Sequence, residues 1–362
     1  METENAPTDP IDAVLESARW APSGDNTQPW RFEKLDELSA RVRVKDTRNH
    51  CVYDLDGHAT EMAAGAFLET AKIAASALGF ECAWQIEDVD EADRFDMRLT
   101  LLAATAARKS PLLEAIFTRA VYRFPLSMRA LSPALLSALR DTAGPNFEIV
   151  VRASLTERMA LAKLNFRSAR LRLTIREAWE VHRSVIEWDA SFSNEMIPDR
   201  ALGADPILRR VMRWGLAKWE RVDFLNRYLA GTILPRLELD WLPGLCCGAH
   251  IALVAKQTPA RRSDFIDAGR ALQRLWLTAE THGVRMQPEM TPVIFARYAR
   301  EGRNFSMAPH AGKSARAVNT LLSEDFGGEH ARALVFLGRA GYGPAIKARS
   351  LRRPLEGLQC ER

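Results

Sequence analysis

The chain has 362 residues, 47% of them hydrophobic, and its 50 Lys and Arg against 46 Asp and Glu leave a formal charge of +4. That length provides for a full core and favours two domains or one duplicated unit. The dispersed, nearly balanced charge gives no footprint for nucleic acid, and the longest uncharged run, residues 241–255, falls short of the roughly 20 residues that span a bilayer.

The acidic, polar start lacks the basic and apolar regions of a secretory signal, so a cytoplasmic protein is expected. Ile11, Val14, Leu15 and Ala18 share one helical stripe, which predicts a helix begun by Pro10 and broken at Pro22-Ser23-Gly24. A half-buried strand is expected around Val42 and Val44. Residues 60–80 are rich in Ala and read as a helix able to pack closely on another. The runs ECAWQIEDVD and RFDMRLTLLA then alternate in the manner of strands.

Around Arg119 the pattern restarts, with a short helix, an Arg-bearing turn, a helix capped by Ser132 and opened by Pro133, and a strand at 147–151. This order resembles the beginning of a second copy. Residues 155–235 read as helical, with Trp179, Trp188, Trp214 and Trp219 set among arginines. Aromatic faces packed on the body, with solvated Arg outside, are preferred there to single-strand stacking.

In the last third, LCCGAHIALVAK reads as a buried strand, SDFIDAGRALQRLWLTAETHGV as a capped amphipathic helix ending near Gly283, and RALVFLGRAGYGP as a buried strand leaving through a glycine loop. Neither nucleotide-fold glycine fingerprint is present. The five cysteines (51, 82, 246, 247 and 360) suggest neither a disulfide framework nor a metal site, and Cys246 and Cys247 read as small core residues. The histidines are scattered. His282 sits where a cation complements a helix end, and Asp25 is the loop residue to watch for ligand selectivity.

The loop RWAPSGDNTQPWRF carries the most chemistry. Ser23, Asn26 and Gln28 offer hydroxyl and amide groups, and Gly24 permits a backbone turn whose N–H groups can face an anion or a polar ring. With Ala21-Pro22-Ser23, Asn26 and Gln28-Pro29-Trp30 in place, it resembles the flavin-binding loop of the FMN-dependent nitroreductase family. RAVYRF at 119–124 resembles that family's phosphate-binding Arg motif, 268–284 its central helix, and LGRAGYGP with RRPLE at 352–356 its C-terminal basic cluster.

The order departs from the family. The loop lacks an Arg motif before it, and the Arg motif lacks a loop after it, so each half keeps what the other has lost. The resemblance therefore implies an α+β, nitroreductase-like fold duplicated as a fused pseudo-dimer, with central antiparallel sheets flanked by helices. The halves would be 1–110 and 111–362, the second with a helical insertion at about 155–235.

It further implies one FMN site at the seam. Pro22, Ser23, Gly24, Asn26 and Gln28 would come from one half, and Arg119, Arg123, Pro288, Glu289, Met290, Arg352 and Arg353 from the other. The arginines would hold the phosphate, and backbone N–H groups near Glu289 and Met290 would approach the ring. NAD(P)H is the implied reductant, with a small organic electrophile as substrate. No side-chain general base and no metal are required. The resemblance to duplicated Acg-type and MoeY-like members adds two alternatives, flavin sequestration without turnover and service beside a ThiF-like adenylating partner. The assembly would be a monomeric pseudo-dimer or a homodimer.

Overall fold

A computed structural model describes residues 9–104 and 108–360. The acidic stretch 1–8, part of the argument against export, lies outside the described residues. The chain is an α+β protein. Helix α1 (Pro10–Ala18) starts on its proline and buries Ile11, Val14, Leu15 and Ala18, the stripe read from spacing. Strands β1 (Trp30–Lys34) and β2 (Ser39–Lys45) follow, then α2 (His58–Ala77), β3 (Phe80–Asp88) and β4 (Arg94–Ala103). They form an antiparallel sheet in the order β1-β2-β4-β3. Strand β1 was hidden in the sequence by Gln28-Pro29 before it, although Trp30 is fully buried and starts the strand.

After the short α3 (Ala115–Thr118), α4 (Pro133–Asp141) is capped as expected: the Ser132 hydroxyl accepts from Leu135 N–H. Strand β5 (Phe147–Arg152) is followed by a long excursion. It comprises α5 (Leu155–Thr174), α6 (Arg176–Val185), the two-residue strands β6 (Ile186–Glu187), β7 (Phe192–Ser193) and β8 (Ile197–Pro198), α7 (Pro206–Leu216), α8 (Trp219–Tyr228), α9 (Ile233–Arg236), a π-helical turn (Leu237–Trp241) and α10 (Leu242–Leu245). The helical segment thus runs ten residues beyond the expected end at 235, and a short extended stretch interrupts it. Its aromatic residues divide: Trp179 is buried, but Trp214 is 48% exposed, against the expectation of packed aromatic faces.

The chain then returns as β9 (Ala249–Ala255), α11 (Arg262–Thr281), β10 (Val284–Pro288), α12 (Thr291–Arg300), α13 (Ala311–Phe326), α14 (Gly328–Ala333), β11 (Leu334–Tyr342) and β12 (Arg349–Ser350). Strand β10 is not visible in the sequence reading. The second sheet has the order β10-β11-β9-β5 and is also antiparallel. Taken from its β5 end, it repeats the first sheet strand for strand, with α11 in the place of α2 and α4 in that of α1.

Helices α2 and α11, each 20 residues long, cross at the seam between the sheets. A Cβ on Gly65 would lie 1.9 Å from the Ile266 carbonyl oxygen, and one on Gly269 would lie 1.9 Å from that of Met62. Each glycine therefore faces the carbonyl three residues before the other, the reciprocal pattern of a two-fold contact. Only glycine permits so close an approach. The packing is reciprocal too, with Met62 entering the core of the second sheet and Ile266 that of the first.

The C-terminal tail crosses back. Gln359 bridges Phe32 in parallel, Cys360 N–H donates to Phe32 C=O at 2.8 Å, and Leu358 is buried in the first core. Among the described residues no helix is long and apolar enough to cross a membrane.

Candidate functional site

The loop after α1 is a strained turn. Asp25, Asn26 and Gln28 have φ of +48°, +63° and +48°, three of the five non-glycine residues of positive φ among the described residues. Each costs on the order of 1–3 kcal/mol. The left-handed backbone therefore falls beside Gly24, whose φ is not positive and whose missing Cβ would meet only open space. Three of the loop's backbone N–H groups are used within the loop itself. Asn26 N–H donates to Ser23 C=O, Thr27 N–H to Gly24 C=O and Gln28 N–H to Ser23 Oγ. Ser23 is thus the clasp of the loop, while Pro22 is partly buried beside it.

The loop points its amides at the excursion. Asn26 Nδ2 donates to the carbonyls of Asn194, Met196 and Leu351, and Gln28 Nε2 to that of Asn194 at 2.8 Å. Arg353 N–H donates to Gln28 Oε1 at 2.9 Å. Asn26 Oδ1 is buried with no hydrogen-bond partner. An orphaned acceptor of this kind costs about 1–3 kcal/mol, so the position favours a donor from elsewhere.

Beside the loop four arginines converge on main-chain carbonyls. Arg119 Nη2 donates to Trp20 C=O at 2.8 Å, while Arg352 Nε and Nη2 donate to Ala21 C=O at 3.0 and 2.9 Å. Arg349 Nη1 donates to the carbonyls of Phe117 and Thr118, and Arg19 Nη1 to that of Arg353. Of these four, only Arg19 has a carboxylate within hydrogen-bonding reach among the described residues, that of Glu16. Arg119 stacks over Trp276 at 4.8 Å and Arg349 over Trp20 at 5.3 Å.

Burial depresses Arg119 to about 10, with Arg349 adding repulsion and only Glu280 opposing it. Arg352 is driven well below its ordinary value by burial and then by Arg119, Arg349 and Arg19. Guanidinium groups do not give up their proton in proteins, so the penalty persists as unbalanced positive charge that an anion relieves. Arg119 Nε is buried and unpartnered.

A second cluster lies next to the cradle, reached through the same loop. Asp25, Arg123, Cys51, Tyr53, Arg172, His182 and Asp240 all keep partly accessible side chains. Desolvation is nevertheless the largest influence on each one's ionisation. Groups that are desolvated yet keep accessible surface lie in a recess rather than on an open face, and that recess is the hollow. Burial raises the Asp25 carboxyl, partly offset by Arg123. The same Asp25 partly restores Arg123, which burial lowers to about 10.

Arg172 donates from Nη2 to both Asp240 oxygens at 3.0 and 2.9 Å, and Tyr53 Oη lies 3.0 Å from His182 Nε2. Burial and Arg172 lower His182 to about 3, so it is neutral at physiological pH. Arg172, His182 and Asp240 all belong to the excursion, which therefore roofs the hollow.

Under the hollow sits a buried charged triad. Glu289 lies 2.7 Å from His250 Nδ1 and accepts from Arg339 Nη1 at 2.9 Å, and His250 Nε2 contacts Gly244 C=O at 2.8 Å. Burial opposes the charge on His250, but Glu289 overcomes it and raises the imidazole to about 10. Burial likewise opposes the charge on Glu289, and His250 and Arg339 hold it down to about 2. Arg339 also donates to Arg123 C=O at 3.0 Å, tying the triad to the hollow.

The structure brings together most of the residues named from sequence, in other roles for several. Arg119 and Arg352 join the cradle. Arg123 lies in the hollow instead, and the Arg353 side chain turns away to Glu195 at 3.1 Å. Pro288 ends β10 opposite Gly338, and Met290 is the N-cap of α12. The Glu289 N–H, expected to face a ring, donates to Leu337 C=O at 2.7 Å.

Arg19 and Arg349 were missed because lone arginines carry no motif. His250 was missed within the buried stretch GAHIALVA, although an ionisable residue in an all-buried strand requires a partner. His282 is structural as expected, its Nδ1 2.9 Å from Thr278 C=O.

No protein-family model matches the chain. A curated relative, the uncharacterized protein MT1398 of Mycobacterium tuberculosis (strain CDC 1551 / Oshkosh), is 25% identical over 313 residues, 85% of this chain. The chain spans 42% of that relative's length. Among solved structures, similarity is found to a nitroreductase-like family protein from Bacillus cereus, with 14% identity, 68% of this chain and 94% of the other covered, and a TM-score of 0.35. A nitroreductase with bound FMN from Bacteroides fragilis gives 10%, 65%, 89% and 0.36. The FMN-dependent nitroreductase NfnB from Mycobacterium smegmatis, in complex with NADPH, gives 16%, 69%, 96% and 0.34.

Proposed function

We propose that this chain is an FMN-binding flavoprotein of the nitroreductase type, built as a fused pseudo-dimer with one flavin site between its halves. The carrying observation is the cradle, in which Arg119 and Arg352 converge on the carbonyls of Trp20 and Ala21, Arg349 donates to those of Phe117 and Thr118, and the three cations repel one another. A phosphate dianion fits this donor set, since planar guanidinium forks suit phosphate oxygens and relieve the repulsion. The orphaned Asn26 Oδ1, on the strained loop from the other half, offers an acceptor to a hydroxyl or ring N–H. FMN would supply two-electron redox chemistry when bound. Arg119, Arg349 and Arg352 would hold its phosphate, while Asp25, Asn26 and Arg123 would meet its more polar remainder.

The excursion supports one alternative over the other. Because Asn194 and Met196 accept from the loop's amides and Arg172, His182 and Asp240 stand around the hollow, the excursion would hinder the approach of a ligand as large as a nicotinamide dinucleotide to a flavin bound there. This favours flavin held with restricted turnover. Reduction by NAD(P)H with transfer to a small organic electrophile is the second reading, supported by the polar hollow, and it requires the roof to open. A ThiF-like partner rests on the resemblance alone.

Purified protein should carry, or take up, FMN and show flavin absorbance. Mixed anaerobically with NADPH, it should bleach slowly or not at all, whereas bleaching within seconds would establish the oxidoreductase. A colourless protein that refuses added FMN would refute both.

A further inference from the structure

A separate cleft of about 460 Å³ opens between α12, the Ala333–Leu334 junction and the first residue of α2, with His58, Phe265, Arg297, Arg300 and Arg332 on its walls. We propose that it binds a small phosphomonoester carrying a flat ring, the chemistry of a mononucleotide. Its size lies within the range of small-molecule sites, roughly 300–1,000 Å³.

Three cations meet there, and their partners leave positive charge over. Arg297 Nη2 pairs with Asp56 at 2.7 Å, but its Nε is buried without a partner. Among the described residues Arg300 has only a neutral partner, Asn319 Oδ1 at 2.9 Å. Arg332 is exposed and makes no ion pair among the described residues. Burial and repulsion from Arg297 and Arg332 both depress Arg300, with only Glu301 opposing. Glu301 is itself 3.6 Å from Arg303.

The wall also holds a flat layer. The His58 imidazole stacks on Phe265 with centroids 3.6 Å apart and planes 14° from parallel, so a planar ring can add to the stack while its phosphate reaches the arginines. None of these residues belongs to the cradle or the hollow, so the proposal stands apart from the flavin reading.

Calorimetric titration of the full chain with AMP and with inorganic phosphate tests it. AMP should saturate one site, and phosphate should bind more weakly at the same place. Arg300→Gln with Arg332→Gln should weaken both by about tenfold or more, the scale of lost charge-assisted hydrogen bonds. Arg332→Gln alone, at an exposed position, should weaken both measurably while leaving the fold intact. His58→Ala should weaken AMP but not phosphate, and Arg119→Gln should change neither. Absence of saturation by AMP, unchanged binding in the double variant, or loss of AMP binding in Arg119→Gln would overturn the proposal.

Discussion

The two sheets share one strand order and differ almost wholly in what joins their strands. In the first, a tight turn links β1 to β2; in the second, the equivalent link from β5 to β9 is the whole helical excursion. The first sheet also joins β3 to β4 by a short turn, where the second inserts α12, α13 and α14. The common sheet is fixed by apolar alternation and by the glycine crossing, whereas Arg172, His182 and Asp240 come from the excursion, Arg349 and Arg352 from the C-terminal tail, and His250 and Arg339 from strands of the second sheet. The comparison teaches that the scaffold tolerates long insertions at strand ends, where extra loop length costs little entropy.

The largest effect should come from the triad that the second sheet has and the first lacks. Glu289→Gln leaves Arg339 charged and buried without its carboxylate and lets burial drive His250 toward the neutral form, and urea denaturation should show a loss of about 3–5 kcal/mol. The sign of the pH dependence follows from the same groups. His250, raised to about 10, stabilises fully below about 6.5 and loses that contribution as pH climbs through 10. Glu289, lowered to about 2, contributes above about 4.5 and fades as pH falls toward 2. His182, lowered to about 3, adds a loss on acidification that begins near 6.5. Replacing it with Gln should flatten the stability curve between pH 6.5 and 3.

Next in size are Gly65→Ala and Gly269→Ala. If the seam is two-fold, the two should destabilise by similar amounts, about 3 kcal/mol each, because each Cβ strikes a carbonyl. A large cost at one and none at the other would break the symmetry argument. Smallest is Ser154→Ala, which removes the capping box of α5 and should cost about 1 kcal/mol in thermal unfolding, loosening the roof with little effect on either sheet.

Much of the scaffold was legible because periodicity reports burial. The stripes of α1 and α11 and the alternation of β3 and β4 are all present in the sequence. Strands β1 and β10 were not, since β1 follows a proline-bounded loop and β10, VRMQP, is short with Arg and Gln set between its apolar residues.

The site was legible only in part. A proline-rich loop and a doubled Arg motif announce themselves, but the use of Arg349 and Arg19 depends on a tail and a helix end brought together by the fold. The left-handed backbone at Asp25, Asn26 and Gln28 was not foreseen, because the sequence reading rested on the freedom of Gly24. Asn and Asp tolerate the left-handed region, and the enclosing contacts at Asn194 and Met196 secure it.

Titration of the protein with FMN, followed by quenching of flavin fluorescence, bears most directly on the shared site. One tight FMN per chain is expected. Arg119→Gln should weaken it by about tenfold to a hundredfold, Asn26→Ala should weaken the same site, and Arg353→Gln should leave it nearly unchanged. Two tight FMN per chain that persist in Arg300→Gln with Arg332→Gln, or a single one indifferent to Asn26 or to Arg119, would contradict a flavin site built from both halves.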